Sequence, residues 1–542
     1  MIPTLMRAGS THTWTLTVPG WASARQLTLA FDACGDAPMQ VLGFAFLDAQ
    51  RHLLHEVLPR RSCVRARRAG GWLPLVGAEA IARAVLGRLH SFYLDLPPAC
   101  AHGGTVCVRV TNHGGAALAL GTLRANASAL DPRRMLANTH ALEGYASAIS
   151  VHAGASVALC VHAPLGRFAL RVLRFGAAID CLLAVDDIAG APQAYPADAF
   201  AAGAGWQASY ELATDAAWPG GLYAARLSDA SGARFDITFI VKPAVGAAPA
   251  ALAVLASTNT WQAYNRWAGA SLYDYDIDDG LGRNDVYVLH TARPNPAASM
   301  ADSAGHLAGA ERHVLAWLER EGIAYDLFAD ADLHAAPALL ASYRALALNT
   351  HCEYWSAPMI DGLETFLAGG GNLAYLAGNG LYWKTVLSGA RIEVHHDGSA
   401  HTLVDEAGGR WRDNGRPEAR LLGVRFTRAG YMTPFRPYRV LAPGHWVFDG
   451  TGLRRGALLG RPGASGWELD KIDARARPAG LVHLAKGRNS ARSGADMCYF
   501  THAGGGGVFA AGSITFGRCL ADDPQLARTL RNVMTRFVGA PT

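Results

Sequence analysis

Four short stretches concentrate the side chains able to do chemistry: N-T-W-Q-A-Y-N at 259–265, S-L-Y-D at 271–274, H-C-E-Y-W at 351–355 and G-N-G-L-Y-W at 378–383. Together they offer phenols, indoles, carboxamides, an imidazole and carboxylates. An aromatic side chain left in water forfeits about 2 kcal/mol of burial free energy, so these stretches are not ordinary solvent-exposed loops. They read either as the wall of a ligand pocket or as a minicore in which His351 and Glu353 are merely hydrogen-bonded. Residue types alone leave both readings open.

Three rival chemistries lie nearby. Cys352 follows an apolar run and precedes a helical one, where a nucleophile elbow would place a thiol, although an elbow needs small neighbours and this cysteine is flanked by His351 and Glu353. Asp274, Asp276, Asp278 and Asp279 before Gly280 resemble a calcium loop, but the glycine comes one place late and the closing position holds Asp285 instead of glutamate. His395, His396 and Asp397 are adjacent, so on a strand their side chains point apart, and they read as surface residues of an Asp-Gly turn.

The elements that must position these residues follow from apolar patterning. Residues 252–256 and 345–348 are short apolar runs with the character of buried strands, and 373–377 is a third. Leu307, Ala310, Val314, Trp317 and Leu318 mark one face of a helix between the first two. A further helix is expected at about 357–368, with Ser356 as its cap, Pro358 in its first turn and Gly369 to Gly371 ending it. The chemical stretches all fall at the ends of these strands, where an open parallel sheet forms its ligand crevice.

Ahead of this region the pattern differs. Trp14 and Leu16 alternate with Thr13, Thr15 and Thr17, and runs at 25–31 and 106–110 repeat the strand pattern; helical periodicity is confined to 78–89. Short strands are expected at 157–161, 168–173, 222–227 and 235–241, separated by turn residues. A run of small residues from Pro243 to Pro249 then reads as a linker. The expected organisation is therefore a mostly β domain at 1–128, a β-sandwich domain at 129–245 and an α/β catalytic domain at 246–542. The expected class of the last is a Rossmann-like or glutamine-amidotransferase-like parallel sheet.

With half of 542 residues apolar and 17% charged, the chain can fill several cores. A formal charge of +5 without a basic block offers no nucleic-acid or membrane footprint, which points to a small neutral or polar ligand. No leader-like segment and no stretch of about eighteen apolar residues is evident, so the cytoplasm is the expected compartment. The nine scattered cysteines form no C-x-x-C pair and read as reduced core residues.

The four motifs, in this order, resemble successive signatures of the N,N-dimethylformamidase large (beta) subunit family. The likeness extends to G-W-E-L-D at 466–470, V-F-A-A-G-S at 508–513 and W-P-G-G-L-Y at 218–223, covering roughly 145–540. The resemblance implies an iron-dependent amidohydrolase that cleaves the C–N bond of a small N-substituted amide such as dimethylformamide. It implies one ferric ion per chain, held by Tyr264, Tyr273 and Glu353. Phenolate and carboxylate are hard donors suited to such an ion, and three protein ligands leave positions open. By the same resemblance His351 and Asn379 orient water or stabilise an oxyanion, and Glu468 shuttles protons. Asn259, Trp261, Trp355, Tyr382 and Trp383 are expected to line the substrate pocket.

Tyr264 and Tyr273 are only nine residues apart, closer than in the family pattern, which leaves Tyr275 as an alternative second ligand. A separate small subunit, a homo-oligomer, or replacement of the small subunit by residues 1–128 are all open. Two other functions compete: a cysteine-nucleophile amidase using Cys352, and a non-catalytic binding or scaffold protein.

Overall fold

The computed structural model describes residues 4–17, 26–34, 39–47, 53–57, 63–68, 71–74, 89–95, 105–112, 117–120, 124–127, 135–196, 198–273, 286–396, 398, 401, 404, 406–489 and 493–539. The segment 274–285, with Tyr275 and the calcium-like acidic loop, lies outside them, as do Asp397 and all but Leu89 of the helical stretch expected at 78–89.

The expected Rossmann-like or glutamine-amidotransferase-like α/β class is not what the chain adopts. The protein is mostly β, with nine sheets among the described residues and few helices. The largest sheet is mixed. Its nine strands run in the order Tyr325–Ala329, Leu252–Ala256, Ala345–Thr350, Asn372–Ala377, Gly507–Ala510, Asp496–Thr501, Val482–Gly487, Tyr438–Val440 and Leu458–Leu459. The first five are mutually parallel, and every later pairing is antiparallel. A strand buried on both faces is a continuous apolar run whichever way its neighbours point. Pairing direction, which separates the two classes, is thus invisible in a local window.

The expected strands at 252–256, 345–348 and 373–377 are present, as is the helix Ala308–Arg320, whose Ala310, Val314, Trp317 and Leu318 are buried at helical spacing. The helix Ala357–Ala368 begins after Ser356 as expected, but the Ser356 hydroxyl meets His334 Nδ1 at 2.8 Å instead of capping the helix. A small sheet of Val288–His290, Arg391–Val394, Trp383–Ser388 and Tyr354–Ser356 lies beside the large one.

Earlier in the chain, the strand Thr11–Thr17 shows the expected alternation, with Trp14 and Leu16 half-buried and the threonines exposed. The strands Ser156–His162, Arg167–Phe175, Gly221–Ser228 and Arg234–Lys242 belong to a three-stranded and a five-stranded sheet. Their inner faces enclose one core containing Leu159, Val161, Leu170, Val172, Leu222's neighbour Tyr223 and Phe239.

Candidate active site

Each chemical stretch is delivered by the end of a strand. After Leu252–Ala256 the chain enters the helix Thr258–Ala263, all of whose residues are buried. Buried carboxylates hold this helix: Asp330 accepts from the Asn259 amide at 2.7 Å, and Glu311 accepts from Trp261 Nε1 at 2.8 Å. Tyr264 therefore emerges from a fixed helix end. The return of the chain is tied by the Leu272 amide donating to the Ala263 carbonyl, and it lays the Tyr273 ring on that of Tyr264 with centroids 4.0 Å apart.

The next two strands end in strained backbone. Thr350 has φ of 55° and the following amide of His351 donates back to Asn349, which swings His351 and Glu353 inward. After Asn372–Ala377, both Asn379 and Leu381 have φ of 53°, and Trp467, beside Glu468, has φ of 68°. Left-handed backbone costs a side-chain-bearing residue about 1–2 kcal/mol, and its concentration around one point is the signature of a functional site. Gly378 admits no side chain, since a Cβ there would come within 2.3 Å of the Glu468 carbonyl.

The polar groups converge tightly. Tyr273 donates its hydroxyl to Glu353 Oε2 at 2.6 Å, and Tyr354 donates to the Tyr273 hydroxyl at 2.7 Å. Asn379 Nδ2 donates to Glu353 Oε1 at 3.0 Å and to Glu468 Oε2 at 2.8 Å. His351 Nε2 lies 3.3 Å from Glu353 and 3.1 Å from Glu468, close enough for ion pairing but without the alignment of a hydrogen bond. The Thr260 hydroxyl accepts from the Glu353 amide at 3.2 Å, joining the first loop to the second. Asp470 supports the third, accepting from the Asn379 amide at 3.0 Å and from Tyr375 at 2.6 Å.

Burial raises the Tyr273 phenol well above its ordinary range, and the charges of Glu353, Tyr264, Tyr354 and Glu468 push it in the same direction. Burial likewise raises the Glu353 carboxyl, against the opposing pull of His351. For His351, burial disfavours the cation, but the two adjacent carboxylates of Glu353 and Glu468 together outweigh it and lift the imidazole to about 10. Two phenols and two carboxylates thus gather as an oxygen donor set around the His351 imidazole. Its deprotonated form calls for a cation, and its oxygen donors suit a hard one. Among the described residues no group of three His, Cys, Asp or Glu side chains is arranged to hold a metal, so any ion here would depend on the tyrosines.

The structure brings Tyr264, Tyr273, His351, Glu353, Asn379 and Glu468 into one cluster. The expected pocket residues are dispersed. Trp261 and Trp355 are fully buried in separate apolar cores, as suits a large indole that gains most from complete burial. Tyr382 lies against Arg412, while the Trp383 ring contacts His396 at 4.4 Å. Asn259 donates to the Tyr354 carbonyl and borders a cavity of about 350 Å³ whose other walls include Gln262, Ile237 and Ile392.

Cys352 is buried in the same apolar core as Leu348, Trp355, Tyr375 and Leu381, and desolvation holds its thiol well above the usual range. It is not poised as a nucleophile. His395 and His396 do point apart, but they are not surface residues. His395 is fully buried against Glu393 at 2.7 Å, and the half-buried His396 meets the Tyr354 hydroxyl at 3.2 Å. His306, Tyr354 and His396 were missed as site residues. Tyr354 stands inside a recognised motif and His396 inside the His395-His396-Asp397 run that reads as a surface turn, whereas nothing in the sequence around His306 announces a role.

The family model described as "N,N-dimethylformamidase beta subunit-like, C-terminal" matches residues 183–529. Two proteins called N,N-dimethylformamidase beta subunit, from Paracoccus aminophilus and Alcaligenes sp, are each 26% identical to this chain. Each alignment covers 61% of this chain and 54% of the relative, so the chain spans about half the length of the curated relatives it matches. Among solved structures, the amphioxus IgVJ-C2 molecule aligns with 44% of this chain and 98% of its own at 12% identity, with a TM-score of 0.10 that carries no argument about the fold.

Proposed function

The chain belongs to the N,N-dimethylformamidase beta subunit-like family, and from that premise we propose that it is an iron-dependent amidohydrolase acting on the C–N bond of small N-substituted amides. The observation that carries this reading is the meeting of Tyr264 and Tyr273, from the connection after Leu252–Ala256, with Glu353, from the loop after Ala345–Thr350, in one oxygen-rich cluster. These three side chains would hold one ferric ion per chain. A bound ferric ion supplies Lewis acidity toward an amide carbonyl and toward water.

The remaining residues have roles that follow from their contacts. Asn379 holds Glu353 and Glu468 through one amide nitrogen, so it fixes the spacing of the two carboxylates. Its own Oδ1 is buried without a partner, which suits an acceptor kept for a substrate or water. Glu468 is the group to take a proton from attacking water and return it to the departing amine. His351, cationic between two carboxylates, stabilises charge that develops beside them. Burial of the cluster keeps bulk water out and strengthens each of these interactions.

Dimethylformamide is the leading substrate, by likeness to the named relatives. Because those relatives are called beta subunits, the functional assembly is proposed to include a second, smaller subunit or further copies of the chain. Six cysteines among the described residues are free thiols, which suits a reducing cytoplasm.

The test is elemental analysis and visible absorption of the purified chain, followed by assay with dimethylformamide and other N-alkyl amides. About one iron per chain, a tyrosinate-to-iron charge-transfer band and amine release would support the reading. Colourless, iron-free protein that still hydrolysed amides would overturn the metal assignment.

A further inference from the structure

His306 reaches the site by a route that none of the four motifs uses, from the loop just ahead of the helix Ala308–Arg320. Its Nδ1 lies 2.9 Å from Nδ1 of His351. Its ring stands edge-on to Tyr264, with centroids 4.6 Å apart, and meets Trp467 at 5.0 Å. Those two aromatic neighbours clamp the imidazole from different directions.

Two ring nitrogens at that separation attract only when one carries a proton and the other offers a lone pair. The contact therefore selects one orientation of the His351 ring. With Nδ1 engaged by His306, Nε2 is the nitrogen left to face Glu353 and Glu468, at 3.3 and 3.1 Å. Turning the ring over would break the contact with His306 and present carbon to the carboxylates. Functional histidines are usually oriented by a carboxylate or a backbone carbonyl at the second nitrogen; here another imidazole occupies that place.

We infer that His306 is the positioning residue for His351, holding it by Nδ1 so that Nε2 stays between the two carboxylates. The role rests on the proposed amidase activity only for its kinetic consequence. The geometric consequence is independent of what reaction the site performs.

Two substitutions in the full chain separate this role from simple packing. His306→Phe keeps a flat ring against Tyr264 and Trp467 but has no nitrogen, whereas His306→Asn restores a polar atom near the position of Nδ1. With a small N-alkyl amide, His306→Phe is expected to keep the wild-type iron content and a KM within about twofold, while kcat falls roughly ten- to a hundredfold. His306→Asn should recover much of that loss. An unchanged kcat in His306→Phe, or equal losses in both variants, would overturn the assignment.

A crystal structure of His306→Phe provides the second readout: the His351 ring should turn and Nε2 should leave one or both carboxylates. A ring that stays in place overturns the inference. If wild-type protein hydrolysed no amide, the proposed function would fail, yet the crystallographic comparison would still decide the part played by His306.

Discussion

Tyr273 and Glu353 lie 80 positions apart in the chain, yet the half-buried phenol donates to the buried carboxylate across 2.6 Å. Neither group gains much from this pairing alone, since burial pushes both away from their ionised forms. The arrangement makes chemical sense as a donor set awaiting a cation, and that reading leads to specific expectations.

Glu353→Ala should remove bound iron and reduce amide hydrolysis below detection, because it takes away a carboxylate that Tyr273 and Asn379 both engage. Cys352→Ser should leave both intact, its thiol being buried among apolar side chains. Iron content and turnover measured side by side on the two variants check the pair of expectations; the reverse pattern would restore the thiol mechanism.

Asn379→Ala removes the nitrogen that bridges Glu353 and Glu468 at 3.0 and 2.8 Å. Loss of a donor of this kind typically lowers kcat by about a hundredfold or more. Steady-state kinetics should show most of the effect in kcat, with the iron stoichiometry retained.

Gly378→Ala should impair both stability and activity. The new methyl would lie 2.3 Å from the Glu468 carbonyl and 2.8 Å from the Ile514 amide, and neither backbone segment can retreat cheaply. Overpacking of this sort costs about 1–3 kcal/mol. Denaturant unfolding should register the loss, and kcat should fall as Glu468 is displaced.

Glu311 is expected to contribute to the pH dependence of stability, alongside Asp330, whose carboxyl burial also lifts to about 8. Burial lifts the Glu311 carboxyl from 4.5 to about 8, although hydrogen bonds from Trp261 and Ser257 oppose the shift. A carboxyl raised in the folded state contributes stability that is complete below the unfolded value and is lost as pH climbs through the folded one. Melting temperature should therefore decline between about pH 4.5 and 8. Glu311→Gln, which stays neutral and can still accept from Trp261, should flatten that decline. Identical pH profiles for the two proteins would show that Glu311 does not contribute.

The sequence by itself determined the local pieces. An apolar run must be buried, so the strands Leu252–Ala256 and Asn372–Ala377 were legible, as was the helix Ala357–Ala368 with its proline start and glycine stop. The motifs also contain most of the cluster: Tyr264, Tyr273, His351, Glu353, Asn379 and Glu468 all lie within them. What only the tertiary structure decided was how those pieces pair and face. It made the large sheet half parallel and half antiparallel, because hydrogen-bonding direction depends on a partner strand far away in sequence. It buried Trp261 and Trp355 in two separate cores, because a side chain's surroundings come from elements that its own neighbours do not specify. It brought in His306 as well, since a single histidine carries no periodicity or spacing that marks it, and it turned His396 inward to Tyr354 out of a run that reads as a surface turn.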